Sequence, residues 1–186
     1  MMSEGSQRIK RQSAIRIFAQ EFAEANLTSR GSGEYDPAFV ITKLGIMVNR
    51  ALVCGVIERL DRREGDNGPS FSGVLRDPTG NHRFNVAPFQ TELQLDIEEL
   101  HARFESGDRF LMALIGKSNW FEGEEGGIFK NYNLTYVSKN DEYIQKLFTE
   151  IKHLGFKNGV EKYLITNNKL ISQLTNSQFD KSMDAV

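Results

Sequence analysis

The stretch Asn49-Arg50-Ala51-Leu52-Val53-Cys54-Gly55-Val56-Ile57-Glu58-Arg59-Leu60 decides how this chain is read. From Ala51 onward it is an apolar, β-branched run, interrupted once by Gly55. Glycine weakens a strand, so its presence inside one marks a bulge or a sharp bend. A strand that must pair at both of its ends in a small barrel needs such a point. Cys54 sits inside this run as the only cysteine. No intrachain disulfide or cysteine-based zinc site can form, and the thiol reads as a small core residue.

Downstream, residues 61–69 are charged and glycine-rich and predict a loop. Residues 71–76 predict a second strand, closed by Asp77-Pro78-Thr79-Gly80. That tetrapeptide is a turn by its chemistry: Asp bonds nearby backbone, Pro presets φ, and Gly accepts positive φ. Residues 82–86 return as the third strand. Leu93, Ile97, Leu100 and Phe104 then recur at helical spacing over residues 90–104, with Gly107 as the stop. Residues 110–117 predict a fourth strand, 119–127 an acidic glycine-rich loop, and 128–137 a fifth strand. Three strands, a helix and two more strands, with an interruption in the first strand, is the plan of an OB-fold barrel. The expected class is mainly β, a five-stranded barrel with flanking helices.

Upstream, Ile15, Phe18, Phe22 and Ala25 predict a helix over residues 7–27, basic in its first half through Arg8, Lys10, Arg11 and Arg16. Ser29-Arg30-Gly31-Ser32-Gly33 predicts a flexible connection, and Phe39-Val40-Ile41 a short strand. After the barrel, residues 141–154 predict a helix with one broad apolar stripe, followed by a polar tail rich in Asn, Gln, Ser and Lys. The expected organisation is a helix and linker over 1–48, the barrel over 49–138, an amphipathic assembly helix over 139–155, and a mobile tail over 156–186.

The chain of 186 residues has a net charge of −2, and acids exceed bases within the barrel segment. Nucleic-acid binders usually show a basic balance, so any such contact must use a local patch, or a partner must supply charge. No signal peptide or spanning helix is evident, which predicts an intracellular, soluble protein. His82, His101 and His153 fall on separate elements, and no phosphate loop, metal-ligand spacing or nucleophile elbow occurs. No enzymatic activity, cofactor or metal is expected.

The segment 49–56, followed by Leu75-Arg76-Asp77-Pro78-Thr79-Gly80, resembles the archaeal replication protein A-associated proteins, OB-fold partners of archaeal single-stranded DNA-binding proteins. Arg16-Ile17-Phe18-Ala19-Gln20-Glu21-Phe22 is similar to the helix that opens that family, and Ile115-Gly116-Lys117 to the end of its fourth strand. The resemblance spans residues 8–154. It implies a non-catalytic subunit of a single-stranded DNA-binding complex in replication, repair and recombination, cytoplasmic and nucleoid-associated. In such assemblies the helices that follow the barrels hold the subunits together, which implies that use for Tyr143, Ile144, Leu147, Phe148, Ile151 and Leu154. Folding back on the chain itself is the other way to bury that stripe.

Sequence-tolerant binding of a single strand needs cations along the phosphates and aromatic faces on which bases stack. In an OB-fold these lie on the second and third strands and on the loop between the fourth and fifth. Alternation puts Phe71, Gly73 and Leu75 on one side of the second strand and Ser72, Val74 and Arg76 on the other. On the third strand, Phe84 and Val86 point to the core and Arg83 and Asn85 outward. Lys117, Trp120 and Phe121 open the acidic loop and Lys130 stands on its return. The candidate contacts are therefore Arg50, Arg76, Arg83, Asn85, Lys117, Trp120, Phe121 and Lys130. Glu122, Glu124 and Glu125 oppose strong affinity. An interaction scaffold that never touches nucleic acid, and an RNA-binding module, are the competing expectations.

Overall fold

The computed structural model describes residues 12–33, 36–124 and 126–155. The start of the expected amino-terminal helix, Glu125 and the tail over 156–186 lie outside them. The decisive stretch forms one long strand, β5 (Arg50–Arg63). Its first half pairs antiparallel with β8 (Leu111–Glu122), from Arg50 opposite Lys117 to Val56 opposite Leu111. Its second half pairs antiparallel with β6 (Ser70–Asp77). β6 turns into β7 (Gly80–Val86), β7 runs parallel to β9 (Ile128–Val137), and β9 pairs antiparallel with β8. The sheet closes on itself because β5 belongs to both of its ends. With α2 (Thr91–Glu105) between β7 and β8, this is a five-stranded OB-fold barrel.

Gly55 serves a close approach, and the bulge lies three residues later. A Cβ on Gly55 would sit 2.5 Å from the Arg76 carbonyl oxygen, at the place where β5 passes from one neighbour to the other. Ile57 stands opposite Leu75 and Arg59 opposite Val74, which makes Glu58 the extra residue. Val53, Ile57, Phe71, Leu75, Phe84, Leu114 and Leu134 fill the interior. Leu93 and Ile97 of α2 close one end, with the His101 ring meeting Phe71 edge-on at 5.7 Å. Two strands run further than their composition suggested. Residues 61–63 continue β5, and residues 119–122 continue β8, so both expected loops shrink. Charged residues fit there because the positions are exposed and paired: Arg59 holds Asp61 at 2.8 Å, and Arg62 reaches Glu98 at 3.0 Å.

The single amino-terminal helix expected over residues 7–27 does not form across the described part. Instead β1 (Ile15–Arg16) pairs parallel with Ala51 and Leu52, Phe18 is extended, and α1 (Ala19–Glu24) has six residues. Chain-distant contacts override the helical spacing. The Asp77 carboxylate accepts the Ala19 N–H at 2.8 Å and the Thr79 hydroxyl accepts the Gln20 N–H at 3.1 Å, which fixes where the helix starts. At its other end the Lys130 ammonium donates to the carbonyls of Ala23 and Ala25. Ile17, Phe22 and Ala25 join the barrel core, with Phe22 stacked on Tyr132 at 4.4 Å. Part of the expected flexible connection is strand as well: β2 (Leu27–Arg30) pairs with β3 (Ala38–Ile41), and β3 with β4 (Met47–Val48).

α3 (Asp141–Gly155) follows the barrel, its first turn held by Asn140, whose amide oxygen accepts the Tyr143 N–H at 2.9 Å. Its apolar stripe folds back on its own barrel. Ile144 and Leu147 are buried against Cys54 and Ala113, with Phe148 and Ile151 packed beside Leu52 and Leu111. Arg16 ties the outer side to Glu150 at 3.1 Å. Burial and the nearby Asp77 push the Cys54 thiol up to about 12, as suits a core residue.

Two expectations follow. Leu147 is 2 % exposed, so Leu147→Asp places a charge in an apolar contact. It should cost about 3 kcal/mol and lower the thermal midpoint by roughly 6–12 °C; a surface-like change below about 2 °C would disprove the packing. Glu21 is buried, one carboxylate oxygen has no partner, and burial raises its pKa to about 7 against a small opposing effect of the Phe18 N–H. The unfolded carboxyl ionises near 4.5 while the folded one keeps its proton to about 7. Stability from this group is therefore lost as pH rises between those values, by up to about 3 kcal/mol. In urea melts, Glu21→Gln should gain on the parent between about pH 5 and pH 8; parallel pH profiles would disprove this.

Candidate nucleic-acid interface

Residues alternate in and out along the β8–β9 ribbon, and the register sorts them. Trp120 opposite Lys130, Ser118 opposite Tyr132 and Gly116 opposite Leu134 face the interior side. The other face carries Phe121 opposite Phe129, Asn119 opposite Asn131, Lys117 opposite Asn133, and Ile115 opposite Tyr136. Across the end of this ladder Phe121 and Phe129 stack at 5.4 Å with ring planes 15° apart. Next to them the Asn119 amide donates to the Asn131 amide oxygen at 3.3 Å. Phe129 and Tyr136 are each about half exposed.

The ladder continues sideways onto the neighbouring strands. Lys117 stands beside Arg50 of β5, and Asn133 beside Asn85 of β7. One row around the barrel thus reads Arg50, Lys117, Asn133, Asn85, Ser72. The Arg50 guanidinium is held over this surface by the Gln12 carbonyl at 3.2 Å and the Thr135 hydroxyl at 3.4 Å. Arg83 lies two residues from Asn85 and is exposed. Neither Lys117 nor Arg83 has an ionic or hydrogen-bonded partner among the described residues, and none of these outward positions is acidic.

The adjoining β5–β6 surface differs in kind. There three arginines meet carboxylates, with Arg63 at the strand end as the exception: Arg76 meets Glu58 at 2.8 Å, Arg59 meets Asp61, and Arg62 meets Glu64 and Glu98. The structure therefore divides the residues expected from sequence. Arg50, Asn85, Lys117 and Phe121 come together on one surface with Arg83 at its margin. Arg76 lies outside it, neutralised by Glu58. Lys130 points to the opposite side, its ammonium on the α1 carbonyls and over the Trp120 ring at 5.4 Å, and burial lowers its pKa. Trp120 is half-buried and packs against the core from a strand, where a loop position was expected.

Asn119, Phe129, Asn131, Asn133 and Tyr136 belong to the surface and were missed by sequence reasoning. Carrying the period of two from Lys117 through Phe121 would have found the β8 members. Of the expected helix contacts, Ile144, Leu147, Phe148 and Ile151 are occupied by the barrel, while Tyr143 is 39 % exposed. The side chain of Leu154 lies outside the described residues.

The histidines do other work. His82 is buried, with Nε2 at 3.0 Å from Asp77 and Nδ1 at 3.3 Å from the Tyr132 hydroxyl. Burial raises the pKa of Asp77, but His82, the Ala19 N–H and Thr79 outweigh it and hold the carboxyl below its ordinary value. This chain of groups is closed to solvent and serves to anchor α1. His101 lies against Phe71 on α2, and His153 is exposed on α3. Among the described residues no cluster of His, Cys, Asp and Glu is arranged to hold a metal, and no helix is long and apolar enough to cross a membrane.

No protein-family profile matches the chain, and no curated protein sequence matches it. Among solved structures it is similar to a small single-stranded DNA binding protein from Mycoplasma pneumoniae, with 11 % identity and a TM-score of 0.37 over 50 % of this chain and 97 % of that one.

Proposed function

We propose that this protein binds single-stranded DNA along the outer face of the β8–β9 ribbon, as a non-catalytic subunit of a replication protein A-like assembly. One observation carries the binding reading: an exposed ladder of stacked aromatics and amides beside Lys117 and Arg83, whose outward positions among the described residues include no carboxylate, on a chain whose net charge is −2. From the Phe121–Phe129 pair to Tyr136 the ladder spans about 20 Å, room for a few nucleotides. Phe129 and Tyr136 offer ring faces, and bases stack on such faces with about 1–3 kcal/mol each. Duplex bases are already stacked, so the surface favours single strands. The amides suit either base edges or sugars. Three cations, Arg50, Lys117 and Arg83, set an upper limit on counterion release, with log K falling by about 2 per decade of salt.

The assembly part of the proposal rests on the family resemblance. With the α3 stripe covered by the barrel, a partner subunit would meet the outer side of that helix, Tyr143 included. The excess of acids in the barrel favours the scaffold reading, and one assay separates the two.

Fluorescence anisotropy with a labelled oligothymidine should show salt-sensitive binding by the full-length protein. Lys117→Glu combined with Arg83→Glu should weaken it at least tenfold. Phe129→Ala should weaken it by about 5- to 100-fold, the equivalent of one lost stacked base. Arg76→Ala should change it less than about twofold, because that cation is already paired. Equal loss in all variants moves the contact off the ribbon, and no binding at any salt leaves only the scaffold. An oligouridine in the same assay reports whether RNA competes.

A further inference from the structure

A groove of about 220 Å³ lies between α2 and the start of α3. Its floor is apolar, made by Leu100, Leu111, Met112, Val137 and Ile144. Its rim is charged. Lys139 is bound by Asp96 at 2.6 Å, and Arg103 is bound by Asp108 at 2.9 Å while lying over the Phe110 ring. Glu99 and Asp141 complete the rim, and neither has an ion-pair partner within 4 Å among the described residues. Among the lining side chains three carboxylates, Asp96, Glu99 and Asp141, stand against two cations, Arg103 and Lys139, an excess of one negative charge around an apolar floor, and Arg103 is held by Asp108 from outside the lining. Leu95, 76 % exposed and one turn before Glu99 on α2, extends the apolar surface beyond the rim.

We infer that this groove docks a segment of a partner protein in which a large aliphatic or aromatic side chain is flanked by lysine or arginine. The volume admits one large side chain and excludes a packed helix. The acidic excess, with Glu99 and Asp141 outside any close ion pair, favours a basic neighbour and disfavours phosphate, so the groove does not suit the nucleic acid proposed for the ribbon. The far end of the ribbon is remote from the groove, while its near end at Tyr136 adjoins Val137 of the groove floor. β8 starts at Leu111 in the groove and carries Phe121 ten residues later, about 33 Å away. The inference holds whether or not the ribbon binds DNA.

The test uses the full-length protein and a fluorescein-labelled hexapeptide, Ser-Lys-Leu-Phe-Lys-Ser, with a control in which both lysines are replaced by glutamate. The basic peptide should bind saturably and shift the methyl signals of Leu111 and Met112. Glu99→Lys combined with Asp141→Asn, both at exposed positions, should weaken it at least tenfold while leaving oligothymidine binding and the thermal midpoint unchanged. Equal binding of the acidic control, an unchanged affinity in the double variant, or no binding up to millimolar peptide overturns the inference. Displacement of the probe by a peptide copying residues 160–172 overturns the choice of a partner and gives the groove to the chain's own tail.

Discussion

Everything in this fold depends on one strand serving two neighbours. β5 pairs with β8 over its first half and with β6 over its second, and Val56 belongs to both ladders. Such sharing forces the backbone to coil, and the Arg76 carbonyl passes so near Gly55 that any side chain there would collide with it. The extra residue Glu58 then resets which side chains face inward. Closure has a consequence on the outside too. It places Arg50 beside Lys117 and thereby brings β5 and β9, distant in sequence, onto one continuous surface.

The surface sorts charge in a way that the total conceals. A net charge of −2 would suggest indifference to polyanions. Yet the carboxylates concentrate along α2 and the β5–β6 side, where they either neutralise arginines or ring the groove. On the ribbon face Lys117 and Arg83 have no carboxylate partner among the described residues. Local arrangement, set by strand alternation, decides what each side of the barrel attracts.

How much of this could be read from the residues differs by element. The barrel order was plain, because turn chemistry at Asp77-Pro78-Thr79-Gly80 and the switch to helical spacing after Gln90 are local signals. The amino-terminal segment was misread because Ile15, Phe18 and Phe22 fit a helix and also fit a strand, an extended residue and one short turn of helix. What selects the second arrangement is a carboxylate nearly sixty residues away, which no periodicity contains. The ribbon was cut short by a similar cause. Glycines and acids around Glu122 imitate a loop, while the pairing of Phe121 with Phe129 carries the strands past the barrel's rim. Half of the ribbon face consequently stayed hidden, although its cations were found.

The Asp77 carboxylate has a further implication for what counts as a unit in this protein. One oxygen accepts three hydrogen bonds from its own turn, and the other accepts the Ala19 N–H together with the His82 ring. A fragment beginning at Asn49 would keep the whole barrel sequence and still lose Phe22 from the Tyr132 ring and the donor from this oxygen. It would uncover a histidine, a phenol and a carboxylate that are at present sealed from water. Physical wholeness here begins well before the first barrel strand, and a cut placed by sequence texture alone would pass through the interior.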